Sequence, residues 1–391
     1  MNPFVKTWSI KRILKKGRLT GCMILIALVM APLVCALIFS ESMMAVITNK
    51  YIYLSDGHIQ ISEGQKTINN FDITCIDDYA ISIDEVTTGY ALMYSSTNTC
   101  SIMIKGVDEQ YFNQQRMSQI KIETSNTDSK SNVKGICISK TTAKKLGVTI
   151  GDRVALMVVP DNPDKVLRPV LVRIDGLFSS GYDQLDQYIA FLDIEYAKTL
   201  YSMSSSTSYE ILIKDQYVED LRALEPIVGR NFNISYWDQN NVSVYENFIT
   251  SKQMILIILI LIVCVAAFYT ASVAQQMIQD DINEIAIAKL IGASDKLVKN
   301  TAFISIYTVT IAGMLLGIVF GIIIGINLGP ILTWLSSLGI ESFTYYLLDF
   351  KITIPWLRIL IIGSCLLIVS LVAIKLALRK TKTITPIRLF S

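Results

Sequence analysis

Among 391 residues there is one histidine, His58. A single imidazole rules out a histidine-built metal cluster and a hydrolytic Ser/His arrangement needing more partners than this chain has. Excess charge of one sign is also missing. The net charge is +2, so nothing points to a nucleic-acid surface. No G-x-x-x-x-G-K-[ST] run occurs, so the chain cannot cradle nucleotide phosphates itself, and Gly147 with Gly151 is a turn pair. Internal repeats and low-complexity tracts are absent as well. Cysteine is sparse outside the apolar runs: Cys22, Cys35, Cys264 and Cys365 lie in or beside them and act there as small apolar residues. Cys75, Cys100 and Cys137 remain, an odd count that leaves open both a Cys75–Cys100 disulfide and free buried thiols. Carboxylate pairs such as Asp77/Asp78 and Asp280/Asp281 read as solvated charge. The sequence therefore offers no catalytic, cofactor-binding or metal-ligating residue.

What is abundant is apolar length. With 52% hydrophobic residues the chain is too apolar for one soluble domain, and with 17% charged residues too polar for a bare helical bundle. Uncharged runs near 21–40, 253–279, 301–340 (interrupted) and 359–374 can each cross about 30 Å of hydrocarbon. Lys6, Lys11, Arg12, Lys15, Lys16 and Arg18 precede the first run, while Lys375, Arg379, Lys380, Lys382 and Arg388 follow the last. Cytoplasmic retention of such cations places both termini inside. A cleaved signal peptide is the alternative for the first run, but the apolar stretch is long for one and no clear Ala-x-Ala site follows. The spans carry almost no ionisable groups, which argues against ion conduction through the protein itself.

The expected fold class is an α-helical membrane protein with four transmembrane helices and a mixed α+β extracytoplasmic domain inserted between helices 1 and 2. The order is a basic amphipathic lead-in (1–20), helix 1 (21–44), the extracytoplasmic domain (45–248), helix 2 (249–275), a cytoplasmic helix (276–300), helix 3 (301–329), an extracytoplasmic connection (330–354), helix 4 (355–377) and a cytoplasmic tail (378–391). Pro32 should kink or loosen helix 1. In the inserted domain, 58–62, 79–83, 90–96 and 101–106 alternate as strands, with His58 in the first. From Gly135 the pattern is strand, short helix ended by Gly147, a turn at Gly151 and Asp152, strand, the connection PDNPDKVLRP, and a returning strand. Two strand-then-helix segments follow, the first with Asp193 as cap and the second with its helix over 216–229.

Two stretches carry the organisation of the membrane part. Between Gln275 and Asn300, Ile278, Ile282, Ile285, Ala286, Lys289 and Leu290 fall on one helical face, Gly292 ends the helix, and Ser294 with Asp295 caps the next. Gly313, Gly317, Gly321, Gly325 and Gly329 recur every four residues, drifting only about 40° per step, which forms a groove where another helix approaches closely. Helix packing is the reading of Gly313, Gly317, Gly321 and Gly325, and Pro330 ends the groove.

Three passages resemble the permease subunits of MacB-type ABC transporters, with FtsX among them, closest to the lipoprotein-releasing LolC/LolE branch. NEIAIAKLIGAS (283–294) is similar to that family's cytoplasmic coupling motif. GICISKTTAKKLGVTIGDRV with IDGLFSSGYDQLDQYIAFLDIEYAKTLY resembles the lipoprotein-releasing exterior domain, and TPIRLF (385–390) the family's ending. The resemblance implies a non-catalytic permease of the bacterial inner membrane with no cofactor of its own. It implies a separate cytoplasmic ABC ATPase dimer that holds ATP and Mg and drives motion of the periplasmic domain. It further implies a second permease subunit, identical or homologous, and a membrane lipoprotein or peptide as substrate. In the lipoprotein-releasing branch the hairpin after the GD-R-V strand reaches toward a soluble periplasmic carrier; here that hairpin, PDNPDKVLRP (160–169), is shorter than in LolC, which speaks against docking of a carrier by this subunit. The ATPase-coupling residues it implies are Ile282, Glu284, Ile285, Ala286, Lys289, Leu290, Gly292 and Ala293. Asp280 and Asp281 stand where relatives are often basic. MacB-like peptide or drug efflux, FtsX-like control of a cell-wall hydrolase, and a membrane-anchored receptor without an ATPase are the alternatives.

Overall fold

The computed structural model describes residues 17–63, 71–96, 98–124, 134–158, 169–201, 206–228, 232–280, 285, 287, 294–337 and 352–379. These form two compact units. One holds the described residues of Met1–Met43, Asn247–Gly329 and Ile352–Ser391, the other those of Met44–Glu246 and Pro330–Lys351.

The helical unit follows from the apolar runs. Among the described residues four helices are long and apolar enough to cross a membrane, with candidate spans Thr20–Asp56, Val242–Gln276, Lys296–Ile326 and Trp356–Ala377. Helix α1 (Gly17–Tyr51) runs on past the predicted end at 44 and stays helical through Pro32. That proline removes one backbone bond, to the carbonyl of Leu28, on the exposed side of the helix, and α1 absorbs the loss.

In the other unit, a π-helical turn at Ile52–Asp56 follows α1 and closes on Gly57. Gly57 has φ +71°, and its N–H donates to the Ile52 carbonyl at 2.8 Å; a Cβ there would press on the backbone of Ile211 at 3.0 Å. The strands are β1 (Ile59–Ser62), β2 (Ala80–Tyr94), β3 (Thr99–Val107), β4 (Lys121–Thr124), β5 (Gly135–Ser139), β6 (Arg153–Val158), β7 (Val170–Ser179), β8 (Ile189–Asp193), β9 (Ser206–Ile213) and β10 (Asn233–Tyr236). They make one mixed sheet in the order β10-β1-β9-β2-β3-β8-β5-β7-β4, with β6 pairing β2 and β7. Neighbours are antiparallel except β3/β8 and β5/β7.

Several expectations need correction. The strands expected at 79–83 and 90–96 are one strand, β2, because its first half pairs with β9 and its second with β3, so the backbone between them is never left unpaired. His58 precedes β1 rather than lying in it. The helix expected over 216–229 is a run of 3-10 turns (Asp215–Leu224) followed by Glu225–Val228. An uninterrupted α-helix would need an N–H from Pro226 to the Arg222 carbonyl, which proline cannot supply. Cys75 and Cys100 are free: Cys100 is buried in the core around β2, β3, β5 and β6, whereas Cys75 packs on a different cluster around Ile59, Phe71 and Ile213. Helix α2 (Lys140–Leu146) ends on Gly147 at φ +69°, and α3 (Ile194–Tyr201) is capped by Asp193, which accepts from the Tyr196 N–H at 3.0 Å.

From Val242 onward the helices among the described residues are α4 (Val242–Asp280), α5 (Asp295–Ile326), α6 (Leu328–Ser337) and α7 (Trp356–Ala377). Ser294 caps α5 by accepting from the Leu297 N–H at 3.3 Å. Pro330 does not end α5, which stops at Asn327; it sits in the first turn of α6, where a missing N–H leaves no bond unmade. The predicted lead-in up to residue 16, the exterior aromatics Tyr345 and Tyr346, and the tail motif 385–390 lie outside the described residues, as does nearly all of PDNPDKVLRP.

Candidate functional site

Two constructions stand out, one in each unit. In the helical unit, the four spaced glycines that lie in α5 face α1. A Cβ would lie 2.7 Å from the Met23 carbonyl oxygen at Gly313, 2.5 Å from Met30 Cβ at Gly317, 2.6 Å from Val34 Cβ at Gly321 and 2.6 Å from Ile38 Cδ1 at Gly325. No side chain larger than hydrogen fits at that separation, so these glycines let the two helices pack backbone to backbone. Gly329 has nothing within 4 Å and is not part of the seam. Buried hydroxyls of Thr301, Ser305 and Thr310 donate to carbonyls one turn back at 2.8, 2.9 and 3.0 Å, which keeps α5 free of unmet polar groups.

In the α/β unit, a buried ionic network gathers on the π-helical turn. Lys105 on β3 and Glu210 on β9 are both fully buried, and Lys105 Nζ lies 2.7 Å from each carboxylate oxygen. The same ammonium donates to the carbonyls of Leu54 and Ser55 at 2.9 and 2.6 Å. Arg116 donates from Nε to the Tyr53 carbonyl at 2.9 Å and from Nη1 to Asp84 at 2.5 Å, and its guanidinium stacks on the Tyr111 ring at 3.8 Å. The Tyr111 hydroxyl donates toward the Leu54 carbonyl at 3.3 Å. Two cations thus satisfy three carbonyls that a helix end leaves bare, and two carboxylates hold those cations in place. Burial pushes Glu210 up to about 6 against the pull of Lys105 and Arg116, and burial lowers Lys105. Nearby, His58 is buried, its Nδ1 accepts from the Ile213 N–H at 3.1 Å, and burial lowers its pKa to about 4, so it is neutral at pH 7.

The network escaped sequence reading, although a signal existed. Lys105 is the one charge in the apolar strand SIMIKGV, and Glu210 the one charge in YEILI. A lone charge on a buried strand requires a partner, and each is the other's.

Of the expected ATPase-coupling residues, Ile282, Glu284, Ala286, Lys289, Leu290, Gly292 and Ala293 lie outside the described residues. Ile285 is described. It is helical and only 2% exposed, while Ile287, two residues on, is 57% exposed. Of these two, Ile287 is the side chain left open at the surface. Among the described residues no group of three or more His, Cys, Asp or Glu side chains could hold a metal ion.

Comparison with known proteins agrees with this organisation. Residues 256–386 match the family described as FtsX-like permease C-terminal, a segment that takes in α4 from residue 256 together with α5, α6 and α7. The chain is similar to the lipoprotein-releasing system transmembrane protein LolC of Xylella fastidiosa (strain 9a5c), 24% identical over 247 residues, covering 61% of this chain and 60% of that one. It is also similar to the corresponding LolE of Haemophilus influenzae, 24% identical over 304 residues, covering 72% of this chain and 70% of that one. The chain thus spans well under two thirds of the length of that LolC. Among solved structures, the extracellular domain of the noncanonic ABC-type transporter YknZ from Gram-positive bacteria overlaps 45% of this chain and 99% of its own length at 12% identity, with a TM-score of 0.29, too low to bear on the fold.

Proposed function

We propose that this chain, carrying an FtsX-like permease domain and similar to LolC and LolE, is the membrane subunit of an ABC-type system that releases lipoproteins from the inner membrane. One observation carries the reading: the similarity to LolE extends over 304 residues, far more than the 256–386 segment, so it includes much of the inserted α/β unit. A bare FtsX-like helical domain would match the last third alone.

On this reading both termini and the helix after α4 are cytoplasmic, and the α/β unit is periplasmic. A separate ATPase dimer, holding ATP and Mg, docks on the stretch around Glu284–Ala293, and a second permease subunit, identical or homologous, completes the pair. The chain has no catalytic role of its own. ATPase closure moves the helices, and a lipoprotein is expelled from the membrane on the periplasmic side. Two observations suit a part that transmits force. The glycine seam holds α1 close to α5, with the α1 backbone within 3 Å of a Cβ placed at Gly313, Gly317 or Gly321. The ionic network fixes the turn that follows α1 to β3 and β9, so that turn cannot shift without breaking charged hydrogen bonds in a dry site.

Depleting the protein in cells tests the proposal. Outer-membrane lipoproteins are expected to accumulate in the inner membrane. Normal lipoprotein sorting accompanied by a changed drug sensitivity or a division defect would replace the reading with efflux or hydrolase control.

A further inference from the structure

We infer that the helical unit carries a binding site for an anionic phospholipid in the groove between α1, α4 and α7. The inference goes beyond the transport reading and does not depend on it.

The groove encloses about 450 Å³, within the range of roughly 300 to 1,000 Å³ typical of ligand pockets. Most of its wall is aliphatic, from residues such as Leu256, Leu259, Val263 and Ile362. Its polar lining is gathered at one end, where Ser40, Lys252, Gln253 and Arg358 meet. Chain direction explains that grouping: the Thr353 N–H donates to Ser42 at 2.9 Å and Arg358 pairs with Glu41, so the far part of α1 adjoins the start of α7. From Lys252 to Val263, α4 advances about 16 Å, close to half of a hydrocarbon core roughly 30 Å thick. The groove is therefore one leaflet deep, charged at its mouth and aliphatic below, the shape of a single amphiphile.

Charge selects among amphiphiles. Two cations and no carboxylate line the groove. Glu41 engages Arg358 from outside the lining, which leaves Lys252 to meet a headgroup phosphate, and a lysine at that depth favours a lipid of net negative charge over a zwitterionic one.

Native mass spectrometry of the full chain in mild detergent, titrated with phosphatidylglycerol or with phosphatidylethanolamine of the same acyl chains, tests the site. Phosphatidylglycerol is expected to be retained preferentially, with Lys252→Gln weakening that retention about fivefold and Lys252→Arg leaving it unchanged. Ile361→Trp, at an exposed position of the wall, is expected to lower retention of both lipids by filling the groove with no change in charge. Equal retention of the two lipids, or undiminished phosphatidylglycerol on Lys252→Gln, would overturn the proposal. So would a dimeric mass that excludes lipid, which would assign the groove to a second copy. An ATPase bound to a chain that retains no lipid would overturn the lipid site and leave the transport reading standing.

Discussion

Removing Lys105 and Glu210 together separates two accounts of the buried network. If the pair merely neutralises itself, replacing both by apolar residues of similar volume is neutral or stabilising, as for other buried ion pairs. The structure gives Lys105 a second task, donating to the carbonyls of Leu54 and Ser55. Glu210→Gln breaks the pair and leaves buried positive charge uncompensated, a loss of about 3 to 5 kcal/mol. Lys105→Met with Glu210→Leu removes both charges but strips the Ser55 carbonyl of its donor and leaves Leu54 only the longer bond from Tyr111, at about 1 to 3 kcal/mol. The double variant therefore stays destabilised by at least about 1 kcal/mol, and the loss is local to the turn. Amide hydrogen exchange on the full chain in detergent reads it directly, because the Gly57 N–H is bonded to Ile52 and the His58 N–H to Ile211, at 2.8 and 2.9 Å. Exchange of these amides in the double variant is expected to be roughly fivefold faster or more. Lys140→Met, which breaks an exposed pair with Glu123, should leave them unchanged. Wild-type exchange in the double variant would refute the capping role.

Other consequences are equally open to measurement. Gly317→Leu must push α1 and α5 apart, since the obstruction includes the Ala27 backbone, and is expected to cost about 1 to 3 kcal/mol or more in thermal unfolding, whereas Gly329→Leu, which meets nothing within 4 Å, should change little. His58 binds its proton more weakly in the folded state, near pH 4, than unfolded, near 6.5, so its share of the stability is intact above pH 6.5 and falls away by about 3 kcal/mol as pH drops toward 4. Glu210, raised to about 6, acts in the opposite sense over part of the same range, and it is common to both proteins when wild type is compared with His58→Asn. Chemical unfolding at several pH values should show the variant losing less stability on acidification than the wild type; parallel curves would contradict the burial argument. Ile287→Asp should weaken association with an ATPase in a pull-down, since that side chain faces out, while Ile285→Val should not.

The membrane helices were legible because twenty or so apolar residues in a row have few other fates, and the seam because glycine every four residues places a bare stripe on one side of a helix. Turn chemistry exposed Gly147 and the caps Asp193 and Ser294 in the same way. The length of β2 was not legible: DEVTTGY looks like a break between strands, and only its change of partner from β9 to β3 keeps it extended. The ionic network was half visible, as single charges in apolar strands, but its purpose was not, since Lys105 and Glu210 are joined across 105 positions and meet on a helix end that no local pattern announces. The coupling residues rest on resemblance to a family motif; of the two described side chains in that stretch, Ile285 is buried and Ile287 exposed.

A permease seated on a separate ATPase should bring that ATPase with it when the protein is isolated from its own cells in mild detergent and its companions are identified. An ABC ATPase is expected to co-purify, with turnover that falls when Glu284→Ala or Leu290→Asp is introduced. A chain that emerges without any ATPase, while still folded by its hydrogen exchange, would contradict the account and favour a receptor anchored in the membrane.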